Sequence, residues 1–300
     1  YFIKHYAIPV VSCVWSSGDG DSLQYPAKHL FEFLGHHGML TIGNSPTWRT
    51  VVGGSQVYVK AILATLEHTR QSSPVVSVRR FDDHVEIATT DGVQNFDSVI
   101  IATHASDARK ILTDASAQEI QALSAIGYSP NHTVLHTDAQ VLPKISGARA
   151  SWNYMIDDCK KDSGQVLVSY WMNKLMRLDG DTEYVVTLNG LNKVSESSVI
   201  ASMNYEHPIF TLDAVKAAEY LRAAGGPRLA FAGAHLGWGF HEDGARSGVQ
   251  AAQKIGAKWY TKSALNNDYT FSFKAKKKSK VSVKVYVDGD LSSSKTITVK

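Results

Sequence analysis

An α/β fold that carries a sheet-rich α+β insertion and ends in a small β appendage is expected from three observations. Two short apolar runs, VIIAT at residues 99–103 and LAFA at 229–232, are too brief for helices and too uniformly apolar for half-exposed strands. Strands covered on both faces have this pattern, and each run leads through a turn into apolar residues at helical spacing. Between the two, residues 113–228 hold segments that alternate in the period of strands. After residue 260 the alternation becomes strict, as in VSVKVYV and KTITVK.

Taken in order, residues 1–48 read as a helical part. Phe2, Tyr6, Ile8, Val11, Val14 and Trp15 form an apolar face that Pro9 is expected to break, and SSGDGD at 16–21 reads as a loop before a second helical stretch at 25–34. In WRTVVGGSQVYV (48–59), a strand is expected to feed the pair Gly53 and Gly54, with a helix from about Ser55 that carries Ile62, Leu63 and Leu66. From Ser73 the period changes to two. Val76, Val78, Val85, Ile87 and Thr89 flank a turn at Asp82 and Asp83, and Asp91-Gly92 is a strong hairpin signal. This meander closes a 49–112 segment. Residues 113–228 read as a separate sheet-rich part, with helices near 117–123 and 212–221 and strands at 132–136, 150–154, 165–172 and 183–188. Its aromatic residues Trp152, Tyr154, Tyr170 and Trp171 fit an ordinary sheet core more readily than a cavity wall. Residues 229–260 form the next segment and 261–300 the appendage.

Three hundred residues with 44% hydrophobic content suffice for about two domains with a real core. The net charge of +3 is small. Its excess is crowded at Lys274, Lys276, Lys277, Lys278, Lys280 and Lys284, which a solvated face explains better than an anionic partner. Few aromatic residues stand among these lysines, so nucleic-acid binding is not expected. Cys13 and Cys159 lie in no metal or redox spacing, which fits a reducing, cytoplasmic setting. Nor do His5, His29, His36 and His37 have a carboxylate at ligand spacing, so no metal site is expected. No apolar run approaches the ~18 residues of a membrane span. Tyr1 stands inside a helical pattern, and a preceding segment is expected.

The chemistry is concentrated in LAFAGAHLGWGFHEDGARSGVQAAQKIGA, residues 229–257. A buried strand ends at Gly233, Gly237 and Gly239 free the backbone of a loop rich in rings, and a helix opens with Glu242 and Asp243 and stops at Gly256. Unpaired N–H groups and the positive end of the helix dipole converge there, an arrangement suited to an electron-rich group. The same pattern also occurs in ordinary βα units.

Several blocks in the right order, WRTVVGGSQVYV, the meander ending in VIIAT, VLHTDAQVLP, ASWNY, YWMNKL, YVVTLN and GFHEDGARSG, together resemble the FAD-dependent amine-oxidase superfamily. Within it they are most similar to the NAD/FAD-binding flavoprotein oxidoreductases that occur alone or fused to cyclopropane-fatty-acid synthases. The resemblance covers roughly residues 1–258. It implies a partial FAD/NAD(P)-binding Rossmann-like domain, a sheet-rich substrate domain and FAD as cofactor. It places Gly233, Ala234, Gly239, Phe240, His241, Glu242, Asp243 and Gly244 beside the flavin ring and Gly53, Gly54 and Ser55 on its other side. Val75 would lie against the adenine, with Ala102 and Thr103 also near the cofactor. Ala234 stands where many superfamily members have an acidic residue. No dinucleotide-type glycine fingerprint precedes residue 53, so the diphosphate-binding unit is expected to lie outside this sequence.

The activity implied is hydride transfer from a small-molecule or lipid-like substrate to flavin, in a cavity to which Trp48, Trp152, Tyr154 and Trp171 could contribute walls. His104, His207, His241 and Glu242 are candidates for polar roles, and no acid–base pair stands out. The alternative is a truncated, non-catalytic flavoprotein remnant serving as a binding module. Hydrolase chemistry from Ser55 or Ser247 lacks the G-x-S-x-G elbow. Neither the oligomeric state nor the electron acceptor follows from the residues.

Overall fold

The computed structural model describes residues 1–41, 43, 47, 49–156, 165–256, 280–287 and 290–298. They fall into two compact units, Tyr1–Ile255 and Gly256–Lys300.

The first unit opens with a π-helical turn, Ile3–Ala7, that runs into α1 (Ile8–Trp15). Pro9 was expected to break this helix. It instead occupies the first turn, where its missing N–H needs no acceptor. The expected 16–21 loop is also shorter than the composition suggests. After Ser16 takes a left-handed conformation, α2 (Asp19–Gln24) begins with Asp19 and Asp21 in its first turn, where carboxylates suit the helix dipole. Then come α3 (Ala27–His36) and α4 (Gln56–Leu63). No strand precedes α4 among the described residues of 46–52, and Trp48 lies outside the described residues.

The meander forms as expected. β1 (Val75–Arg80), β2 (Val85–Thr89) and β3 (Gly92–Phe96) pair antiparallel, and Gly92 supplies the positive φ of 129° at the hairpin turn. β4 (Val99–Ile101) leads into α5 (Ala105–Ile111) and α6 (Ala117–Ala125). Arg80 binds the meander to α6. Its guanidinium donates to Asp114 at 2.7 Å and to both Glu119 oxygens at 2.7 and 2.8 Å, while Glu119 and Ser116 cap the helix reciprocally.

The insertion is a five-stranded antiparallel sheet in the order β6-β7-β8-β5-β9. It comprises β5 (Tyr128–His136), β6 (Trp152–Tyr154), β7 (Val168–Trp171), which turns directly into α7 (Met172–Met176), β8 (Val185–Leu188) and β9 (Val199–Pro208). β9 was not among the strands expected from the sequence, although Val199, Ala201, Met203 and Tyr205 alternate with Ile200, Ser202, Asn204 and Glu206 at the period of a strand, and it lies at the sheet edge beside β5.

After α8 (Leu212–Ala223), the chain forms β10 (Leu229–Phe231), which pairs parallel with β4 in the register Leu229 to Val99 and Phe231 to Ile101. α9 (His241–Lys254) follows. The largest core cluster lies around this pair, where Val78, Val85, Ile101, Ala105, Leu112, Leu123, Leu221, Leu229, Phe231 and Leu236 are all buried. In the second unit, β11 (Lys280–Val287) and β12 (Asp290–Thr298) form an antiparallel hairpin.

Candidate functional site

β4 and β10 end side by side, and the crevice beyond the carboxyl ends of parallel strands is where α/β folds place ligands. On the β10 side, Gly233 has φ +152°, and a Cβ there would lie 2.4 Å from the His235 ring, so glycine is what lets that imidazole fold beneath the strand end. Its N–H donates to Ser247 Oγ at 2.9 Å, and Ser247 donates in turn to the Gly244 carbonyl at 2.8 Å. This gives Ser247 a structural task, holding strand end to helix. A tight 3-10 turn, Ala234–Leu236, follows, and the Ala234 carbonyl accepts the N–H groups of both Gly237 and Gly239.

Gly237 packs on the Asp243 carboxylate, and Gly239 adopts φ +95° with Phe210 beneath it. Asp243, only 5% exposed, accepts the Phe240 N–H at 3.2 Å, so its side chain supports the loop from behind. His241 and Glu242 open the 14-residue α9, and their N–H groups precede the first intrahelical bonds. The loop is also clamped by the N-terminal helices. Trp15 donates to the Trp238 carbonyl at 2.8 Å, Trp238 donates to the His29 carbonyl at 3.3 Å, and Phe240 stacks on Phe33 at 5.2 Å. Residues 15, 29 and 33 carry no motif, and only their apolar spacing hinted at burial.

From the other side, Tyr58 of α4 hydrogen-bonds to His241 Nδ1 at 3.0 Å. Ser55 stands at the N-cap of α4, three residues before Tyr58, and Gly53 and Gly54 just ahead of it both have φ +81°. At the end of β4, Ala102 and Thr103 are exposed, and His104 occupies the N-cap position of α5 without a capping bond from its side chain. Its ring stacks on Tyr128 at 4.4 Å and stands 3.4 Å from Glu206, while His207 meets Asn131 at 3.1 Å. Burial, then the nearby His104 charge, depresses His207 and carries His235 down to about 4, so His235 is neutral at pH 7. Burial pushes the Tyr128 phenol up to about 12.

Other residues stand apart from this loop. Val75 opens β1 and pairs with Thr89. Tyr154 donates to Asp19 and Trp171 to Glu183, while Trp152 meets Tyr170 edge-on, all half-buried on the insertion sheet. Among the described residues, no three His, Cys, Asp or Glu side chains are grouped to hold a metal ion. The α9 N–H groups suit an electron-rich ring edge such as one end of a flavin offers, while the space that a Cβ at Gly237 or Gly239 would take is filled from within the chain by Asp243 and Phe210. A G-x-G-x-x-G turn for a diphosphate is not found among the described residues.

A parallel strand pair that opens into a glycine loop and helix start, joined to an antiparallel sheet, defines the chain as an FAD-dependent oxidoreductase fold. The sequence model for flavin containing amine oxidoreductase matches residues 22–256, and the chain belongs to that family, whose cofactor is FAD. Among solved structures, a fatty acid isomerase from P. acnes that produces CLA aligns with TM-score 0.54 and 16% identity over 81% of this chain. Cyclohexylamine oxidase from Brevibacterium oxydans aligns with TM-score 0.55 and 13% identity over 83%. At these identities the likeness is one of fold, and the chain spans 62% of the length of each. No curated protein matches in sequence. No helix among the described residues is long and apolar enough to cross a membrane.

Proposed function

We propose that this chain supplies the flavin-ring side of an FAD-dependent oxidoreductase. The observation that carries the reading is the loop from Gly233 to Gly244, built at the ends of two parallel strands and running into the start of α9. In this reading Gly239, Phe240, His241 and Glu242 face the ring edge, Gly53, Gly54 and Ser55 approach from the α4 side, and Gly233, Ala234, Asp243 and Gly244 shape the loop. FAD, when bound, supplies the acceptor for a hydride from a substrate C–H bond. The chain's own part is to offer backbone N–H groups where negative charge develops and to hold His235 neutral beside the crevice. Ala102 and Thr103 border the same crevice, and Val75 is kept as an adenine contact. Trp152, Tyr154 and Trp171 would line the substrate side.

A lipid-like substrate is proposed. Support for it comes from the resemblance to flavoproteins fused to cyclopropane-fatty-acid synthases and from the fatty acid isomerase that shares the fold. In this reading the diphosphate-binding unit lies outside these residues, so the protein carrying that unit should retain flavin, visible as yellow colour, and Gly239→Val should lose it while the far-UV circular dichroism stays unchanged. A folded protein with that unit that takes up no FAD even at saturating concentration would defeat the reading and favour the alternative, a non-catalytic binding module. The exposed apolar residues of α4, Val57, Val59, Ile62 and Leu63, are the observation behind that second reading.

A further inference from the structure

Three buried polar atoms without a hydrogen-bonding partner in the protein come from residues that pack together behind the glycine loop: the Tyr25 hydroxyl, His29 Nε2 and Asp243 Oδ1. The Tyr25 and His29 rings are 5.6 Å apart, and His29 lies 5.4 Å from Trp238 and 5.5 Å from Phe210. Asp243 packs against Gly237, the neighbour of Trp238 in the chain. Trp15, Phe33, Phe210 and Phe240 wall the region with rings. Tyr25 and Asp243 are 8% and 5% exposed, so bulk water does not serve them, and a buried polar atom left dry is costly. Arg246 approaches Asp243 Oδ1 only to 3.5 Å, as an ion pair on the more exposed side. Burial and then the Asp243 charge hold the Tyr25 proton in place, so the phenol is a donor. The His29 ring also lies by the Gly237 backbone, and a ring proton on that side leaves the unpartnered Nε2 as an acceptor.

We propose that Tyr25, His29 and Asp243 form a site for one internal water molecule, which ties α3 to the loop that ends in Asp243. The donors and acceptors balance: the Tyr25 hydroxyl donates to the water, and the water donates one hydrogen to His29 Nε2 and the other to Asp243 Oδ1. Three polar partners are typical of a conserved internal water. The network makes Tyr25 and His29 positioning residues for Gly237 and Gly239, and it does not depend on the identity of the ligand in front of the loop.

A crystal structure that resolves ordered water should show one molecule within hydrogen-bonding distance of all three atoms. Its absence, or a Tyr25 hydroxyl bonded directly to Asp243, overturns the proposal. In solution, Tyr25→Phe and His29→Phe should each lower Tm, and the double variant should lose no more than the worse single one, because the water is lost once. Additive losses also overturn it. Amide exchange at Gly237 and Gly239 should quicken roughly tenfold in Tyr25→Phe, with α8 unchanged. Equal acceleration in α8 would mean ordinary destabilisation and would count against a positioning role.

Discussion

His235 is neutral because it is buried at the end of β10 with the His104 charge nearby. An unfolded chain takes up a proton there near the ordinary value of 6.5, and the folded one only near 4. The stabilisation is therefore complete above pH 6.5 and is withdrawn as pH falls toward 4, by roughly 3 kcal/mol at about 1.4 kcal/mol per unit. Denaturant titrations at pH 7, 5.5 and 4.5 should show this decline, and His235→Gln should flatten it. Residual slope in that variant is expected from His29, His136 and His207, which burial also depresses. At Gly237, an added Cβ would lie 2.4 Å from Asp243 Oδ1. Gly237→Ala should cost about 1–3 kcal/mol, measured by urea unfolding, because the carboxylate is fixed by its bond to Phe240 N–H. A neutral result would mean that the loop yields without cost.

Among the elements, the meander depends on one guanidinium. Arg80→Ala strands Glu119, 4% exposed, without its cation and should cost about 3–5 kcal/mol. Arg80→Lys should recover only part of this, since an ammonium cannot reproduce the fork on both Glu119 oxygens. α4 is the opposite case. None of its residues is buried, and it reaches the site through Tyr58 and His241. Hydrogen exchange across residues 56–63 should quicken in Tyr58→Phe with little change in Tm, and a large Tm drop would show that α4 is held by more than this bond.

In the molecule as a whole, two compact units are joined at residue 256. Ending the chain after Ile255 should leave the Tm of the first unit within the usual small variation, because the β4–β10 core and the loop clamp lie inside it. A collapse of that transition would show the hairpin to be part of the fold.

The sequence by itself determined the two parallel strands, the meander, the helix after each strand and the position of the glycine loop. Each of these is specified locally: an apolar run of strand length, Asp91-Gly92 at a hairpin, glycines where φ is positive, acidic residues at a helix start. It also determined the family, because several local blocks in order are more specific than any one. Only the tertiary structure decided what stands behind and beside the loop. Trp15, Tyr25, His29 and Phe33 reach it from about 200 residues upstream, and Ser247 turns out to tie Gly233 to α9. Edge strand β9 was missed although Val199, Ala201, Met203 and Tyr205 recur at period two, because Ile200 and Tyr205 both stand exposed and the contrast between its two faces is weak. Local patterns record backbone conformation and burial, whereas a site is set by which distant side chains the core brings to the same place.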